Sequence, residues 1–305
     1  MSGFALLCPG QGGQHAGMLA WALGDPGVAS VLRGAGGPLA GADWIERVAA
    51  GEPLDHRLAQ TAIVAAGAGA WERLRERLPQ PDTVAGYSLG ELTAWTCAGS
   101  WSLADALGLA ARRADAMLAA TPDPTSMAAV TGASAAGRAA ALDGLEGVHP
   151  SIVIDADHAV LTGRPDAMSA ARARLESIGA TWTPLPVTLP SHSPMMAPAA
   201  AAFAALLRAQ RRDPPRFGVV RGVDGRRLDD AGAVPDALSD SLVRTIRWDR
   251  VLETLAERDV RVCLELPPGR ALSRMVEARG TGIEARAVED FRSVDGLARW
   301  VADRV

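Results

Sequence analysis

The chain opens with an unbroken apolar run, FALLC at 4–8, that stops at Pro9 and Gly10. A run this short and continuous predicts a buried strand, here feeding the glycine-rich loop PGQGGQ. Positions 58–77 (LAQTAIVAAGAGAWERLRER) change to a helical rhythm, apolar in the first half and charged at the end, and break at Pro79 and Pro81. TVAGYS at 83–88 predicts a second strand and a sharp turn. LGELTAWTCA then resumes a helical pattern with Leu92, Trp95 and Ala98 on one face. Ser102 and Asp105 have capping-box spacing for a helix reaching about Ala120.

Pro122 and Pro124 end this stretch, and the rhythm changes. SMAAVTG, a helix near 134–143, VHPSIVID, HAVLTG, a helix near 165–178 and ATWTPLPV read in the order β-α-β-β-α-β. That order predicts a small ferredoxin-like lobe over 125–189, inserted into a larger α/β domain of 1–124 and 190–305. The large domain resumes with an alanine-rich helix (197–210) and a break at Pro214 and Pro215. Strands near 217–223 and 261–266 and helices near 247–257 and 270–278 follow.

With 305 residues, 48% of them apolar, the chain has ample material for a buried core. A net charge of -4 argues against nucleic acid as a partner, because affinity for a phosphate backbone rests on basic surface. The sequence contains no lysine and no asparagine, which excludes Schiff-base chemistry, a Walker lysine, a Ser-Lys dyad and N-glycosylation. Cys8, Cys97 and Cys263 are scattered in apolar surroundings and suggest neither a disulfide framework nor a metal site. No run approaches the length of a membrane span, so a cytoplasmic enzyme without membrane partners is the expectation.

The strongest chemical signal is GYSLGE at 86–91, with Ser88 between Gly86 and Gly90 at a strand-to-helix junction. A serine hydroxyl needs an exposing turn, a base and N–H groups aimed at the developing oxyanion, and small flanking residues allow that turn. Such an elbow predicts an α/β-hydrolase-like large domain with a central, mainly parallel sheet. For the base, His192 in LPSHSPMM leads among five histidines because it lies at the predicted lobe junction. His15 is second, and His56, His149 and His158 fall in turn, surface or lobe contexts. Arg113, in AARRADAM, is either a solvated arginine or a clamp for a substrate carboxylate.

Taken together, PGQGGQ at 9–14, GYSLGE at 86–91, Arg113, PSHSPMM at 190–196, IRW at 246–248 and ELPPGRAL at 265–272 resemble, in order and spacing, the malonyl-CoA:acyl-carrier-protein transacylase family. The resemblance implies that Ser88 takes malonyl from coenzyme A as an ester and that His192 is its base and later its acid. Backbone N–H groups of Gln11 and Leu89 would form the oxyanion hole, and Arg113 would pair with the malonyl carboxylate. The main-chain carbonyl of Arg247 would orient the histidine. Malonyl-CoA and an acyl carrier protein are the implied partners, with no metal and no cofactor beyond the coenzyme A thioester.

Three positions depart from the family pattern. Tyr87 replaces the usual histidine before the nucleophile, DADH at 155–158 replaces an asparagine-rich stretch, and Pro267 replaces the first glycine of a GPG turn. GYS, DADHAVLTG and PSHSP look more like the epsilon subunit of malonate decarboxylase, which implies loading of that enzyme's carrier and contact with its other subunits. A transacylase of fatty-acid or polyketide synthesis is the alternative, and a serine hydrolase or thioesterase is the second. An acidic carrier would be met by arginines, with Arg112, Arg211 and Arg212 nearest the motifs in sequence.

Overall fold

The computed structural model describes residues 3–41 and 43–305, and of these the side chains of all but 36–40. The strands are β1 (Phe4–Cys8), β2 (Thr83–Gly86), β3 (Ser126–Thr131), β4 (Val148–Val153), β5 (His158–Gly163), β6 (Thr181–Leu185), β7 (Gly218–Val220), β8 (Arg227–Leu228), β9 (Ile246–Arg247), β10 (Val262–Glu265) and β11 (Glu284–Ala287). The helices are α1 (Ala20–Leu23), α2 (Pro26–Ala40), α3 (Trp44–Ala49), α4 (His56–Leu74), α5 (Gly90–Cys97), α6 (Leu103–Ala119), α7 (Ala135–Leu142), α8 (Pro165–Ser177), α9 (Ala197–Ala209), α10 (Val234–Val243), α11 (Trp248–Glu257), α12 (Ala271–Ala278) and α13 (Val294–Ala302).

Two compact units divide the chain: Met1–Ala114, Gln210–Val234 and Val251–Val305 form the first, Asp115–Ala209 and Pro235–Arg250 the second. In the first unit the sheet order is β11-β10-β1-β2-β7-β8. Every pairing is parallel except β7 with β8. Leu6 of β1 lies between Leu264 and Val84, and all five residues of β1 are buried. That is why FALLC reads as continuous rather than alternating: parallel strands covered on both faces have no solvent side. Helix α4 is buried almost all round, from Leu58 to Trp71, as its alanine-rich composition implies.

The second unit holds an antiparallel sheet of order β6-β3-β5-β4, extended by β9, which pairs parallel with β4. Two prolines sit where a sheet tolerates a missing donor. Pro184 is in the edge strand β6, and Pro150 lies at a register shift between β4 and β5. Helix α8 lays Ala167, Met168, Ala171 and Leu175 on a core that includes Val130, Val148 and Leu161. This unit reaches beyond the 125–189 expected for the small lobe: it also takes in the end of α6, helix α9, nearly all of α10 and strand β9.

Strand β1 and helix α8 fall within a residue of their predicted bounds, and Ser102 caps α6, its Oγ accepting from Asp105 N–H at 3.2 Å and donating to the Asp105 carboxylate at 2.6 Å. Helix α2 has no counterpart among the expectations. Its sequence carries four glycines and Pro38, which obscure the periodicity, while Pro26 opens its first turn. Among the described residues no helix is long and apolar enough to cross a membrane.

Candidate active site

Ser88 stands where β2 ends and α5 begins. Tyr87 N–H donates to Cys8 O at 2.9 Å, Gly90 N–H to Tyr87 O at 2.9 Å and Glu91 N–H to Ser88 O at 3.0 Å, closing a tight turn. Ser88 has φ 56°, a left-handed conformation that costs a non-glycine residue on the order of 1 kcal/mol or more. The flanking glycines are required by space. A Cβ on Gly86 would collide with Glu91 N, and one on Gly90 with the carbonyl of Cys8. The elbow expected from the sequence is therefore built, and its strain falls on the residue proposed to react.

The glycine-rich loop after β1 lies against this turn. A Cβ on Gly10 would come 2.6 Å from Tyr87 O and 3.5 Å from the Ser88 Cβ, so Gln11 follows directly on a residue touching the elbow. Leu89, buried, is the N-cap of α5, where main-chain N–H groups have no intrahelical acceptor. His15, the second choice as base, is tied elsewhere: its Nε2 meets Glu289 at 2.9 Å, and Glu289 also accepts from Gly269 N–H at 2.9 Å.

Arg113, on α6, is 3% exposed, which removes the solvated reading. Its Nη1 donates to Gln60 Oε1 at 2.8 Å, and the Gln60 amide nitrogen lies 2.7 Å from Nε2 of His56. Burial lowers the Arg113 pKa to about 10, opposed by Glu91, and still leaves the guanidinium charged at neutral pH. Glu91, in the first turn of α5, is fully buried and accepts from Gly222 N–H at 3.2 Å. Burial raises its pKa to about 8, so at neutral pH its proton is mostly retained. Glu91, Gln60 and His56 were not singled out in the sequence for this role. The available signal was a glutamine and a glutamate inside apolar helical stretches.

In the second unit His192 is 2% exposed with φ 62°. Its N–H donates to Leu242 O at 2.8 Å, and the neighbouring turn is held by Ser151 Oγ on Ser191 O at 2.8 Å and Ser193 Oγ on Pro190 O at 2.7 Å. The ring Nδ1 meets the main-chain carbonyl of Ser241. A carbonyl only accepts, so Nδ1 carries the proton and Nε2 presents a lone pair, as a general base requires.

The carbonyl met by Nδ1 is that of Ser241, whereas the resemblance implied that of Arg247. Ser241 and Leu242 lie in the last turn of α10, where carbonyls lack intrahelical donors and are available to another segment. Arg247 is engaged in β9 beside Val153, and its guanidinium grips Asp249 through Nε at 2.9 Å and Nη2 at 2.6 Å. Cys8, Cys97 and Cys263 are buried free thiols, and burial pushes Cys97 well above its usual range and Cys263 to about 12, which keeps those two in the unreactive thiol form at neutral pH.

An elbow serine on a mainly parallel sheet, followed by a helix beside a buried arginine, defines a class of acyl-transferring enzymes. The model of the acyl transferase domain matches residues 5–299, and the chain belongs to that family. It is 34% identical over 307 residues to the malonyl CoA-acyl carrier protein transacylase of Mycobacterium tuberculosis strain H37Rv, covering 96% of this chain and 99% of the relative. With the enzyme of that name from Salmonella typhimurium it shares 32% over 299 residues, 95% and 97% of the two chains. FabD from Acinetobacter baumannii superimposes with a TM-score of 0.91 at 27% identity, covering 99% of each chain. A malonyl-transacylase solved in complex with a type II polyketide-synthase acyl-carrier protein gives 0.89 at 29%, covering 97% of this chain and 99% of that one.

Proposed function

We propose that this protein transfers malonyl from malonyl-CoA to the thiol of an acyl-carrier-protein prosthetic group through a malonyl ester on Ser88. The observation that carries the substrate choice is a charged arginine, Arg113, buried in the same unit as the elbow and within electrostatic reach of Glu91 on the elbow helix. A cation held there without solvent suits an acyl group ending in a carboxylate.

In this reading Ser88 Oγ attacks the thioester carbonyl carbon while its proton passes to Nε2 of His192. The N–H groups of Gln11 and Leu89 receive the oxyanion, the C–S bond breaks, and the departing coenzyme A thiolate takes the proton from His192. The carrier thiol then gives its proton to His192, its sulfur attacks the ester, and Ser88 recovers the proton as the C–O bond breaks. The steps need no metal and no cofactor of the enzyme's own. We read the first unit as α/β-hydrolase-like and the β3-α7-β4-β5-α8-β6 segment as a ferredoxin-like lobe, supported by its sheet order β6-β3-β5-β4.

For the acceptor, the GYS, DADHAVLTG and PSHSP stretches favour the carrier of malonate decarboxylase. The likeness to a transacylase solved with a polyketide-synthase carrier favours the alternative, a carrier of fatty-acid or polyketide synthesis. Arg112 and Arg211 are exposed and are candidates to meet an acidic carrier, whereas Arg212 donates to Ala231 O at 2.7 Å and Gln210 O at 3.2 Å.

Arg113→Ala tests the substrate reading. The efficiency of acylation by malonyl-CoA should fall roughly a hundredfold relative to acetyl-CoA, as loss of one partner of a buried charge pair implies. Equal losses with both thioesters would show that Arg113 is not the clamp. Side-by-side transfer to purified carriers of the two kinds then decides the acceptor, the decarboxylase carrier being the expected faster one.

A further inference from the structure

Donor and acceptor chemistry fixes the orientation of Gln60. A guanidinium only donates, so the Gln60 atom 2.8 Å from Arg113 Nη1 is the amide oxygen. The amide nitrogen then faces His56 Nε2 at 2.7 Å, and because that nitrogen also only donates, Nε2 of His56 must be the bare acceptor with the ring proton on Nδ1. We propose that His56 is a positioning residue for carboxylate recognition: by accepting from Gln60 it holds the amide oxygen on Arg113 and so sets the plane of the guanidinium. This inference rests on Arg113 as the partner of the substrate carboxylate.

Local structure supports a fixed relay. His56 opens α4 and Gln60 stands one turn later on the same face. The side chain of the N-cap Asp55 accepts from Leu58 N–H at 2.7 Å and Thr61 Oγ1 donates to Arg57 O at 2.9 Å, which pin the first turn. Two charged groups act on the imidazole, Arg113 from α6 and Asp55 beside it on the chain. Burial first, then Arg113, lower its pKa to about 4, with Asp55 opposing. The relay therefore stays in its accepting form across the neutral range. Protonation would set N–H against N–H and release Gln60 to rotate.

The test uses the full chain and follows acylation of Ser88 by malonyl-CoA and, separately, by acetyl-CoA. His56→Leu keeps bulk without an acceptor, and His56→Gln returns an acceptor at the reach of Nε2. The half-saturating malonyl-CoA concentration should rise roughly tenfold in H56L with less than about a twofold change in the limiting rate, and H56Q should return to within about threefold of wild type. The malonyl-to-acetyl preference should fall in proportion. If both thioesters weaken alike, or H56Q is as impaired as H56L, the relay is overturned. Arg113→Ala, run in parallel, separates the two claims: preference lost in R113A but kept in H56L rejects the relay alone, whereas preference kept in R113A rejects the clamp and the relay with it. Should H56L fail to fold, 15N-histidine spectra of the wild type decide, with the His56 signal assigned by its absence from H56Q. A neutral Nδ1–H tautomer persisting from pH 7 to below pH 5.5 supports the proposal, and an Nε2–H tautomer or an imidazolium at pH 6 overturns it.

Discussion

Glu91 is a carboxyl group buried three residues after the elbow serine, and its proton has consequences for stability. Its pKa is raised to about 8, so between the ordinary carboxyl value of 4.5 and about 8 the folded protein holds a proton that the unfolded chain releases. Its contribution to stability is therefore complete below about pH 4.5 and declines as the pH rises through 8. Thermal unfolding of wild type and Glu91→Gln from pH 5 to 9 should show a Tm that drops with rising pH more steeply in wild type. Equal slopes would mean that Glu91 ionises freely in the fold. Residue by residue, the sequence revealed what local geometry demands. Gly86 and Gly90 mark Ser88 because no larger residue fits there, and His192 stood out by its place between segments. His56 did not, since its role depends on Arg113, 57 positions away, and a histidine at a helix start has many ordinary uses.

Strand ends and helix ends supply the remaining site geometry. The elbow needs β2 and α5 to meet within one turn beside the carbonyl of Cys8, so Gly90→Ala should destabilise the protein by about 3 kcal/mol or more, visible as a large drop in Tm. An unchanged Tm would mean that the turn opens more easily than its spacing implies. His192 takes its tautomer from the last turn of α10, through a carbonyl and not a side chain, and the Ser241 hydroxyl donates locally, to Leu238 O at 2.8 Å. Ser241→Ala should therefore keep the transfer rate within about threefold of wild type. A hundredfold loss would give the hydroxyl a direct part. The resemblance implied the carbonyl of Arg247 for orienting His192, six residues further on than the Ser241 carbonyl that Nδ1 meets. A helix end offers free acceptors whatever its side chains are, so sequence identity there carries little information.

For the whole molecule, the proposed nucleophile Ser88 and the proposed carboxylate clamp Arg113 belong to the first unit, and the proposed base His192 to the second. The alternation of buried strands and helices made the α/β class and the βαββαβ segment legible. The reach of the second unit was not, because β9 is two residues long and joins β4 from a distant part of the chain. Two-residue pairings leave no periodicity to read. The proposed chemistry converges on one covalent species, the malonyl ester of Ser88. Intact-mass measurement after brief mixing with malonyl-CoA, in the absence of any carrier, tests it directly. Wild type should gain the mass of a single malonyl group that a carrier thiol then removes, and Ser88→Ala should gain none. An adduct of the same mass on the Ser88→Ala protein, or its absence from wild type, would contradict the account.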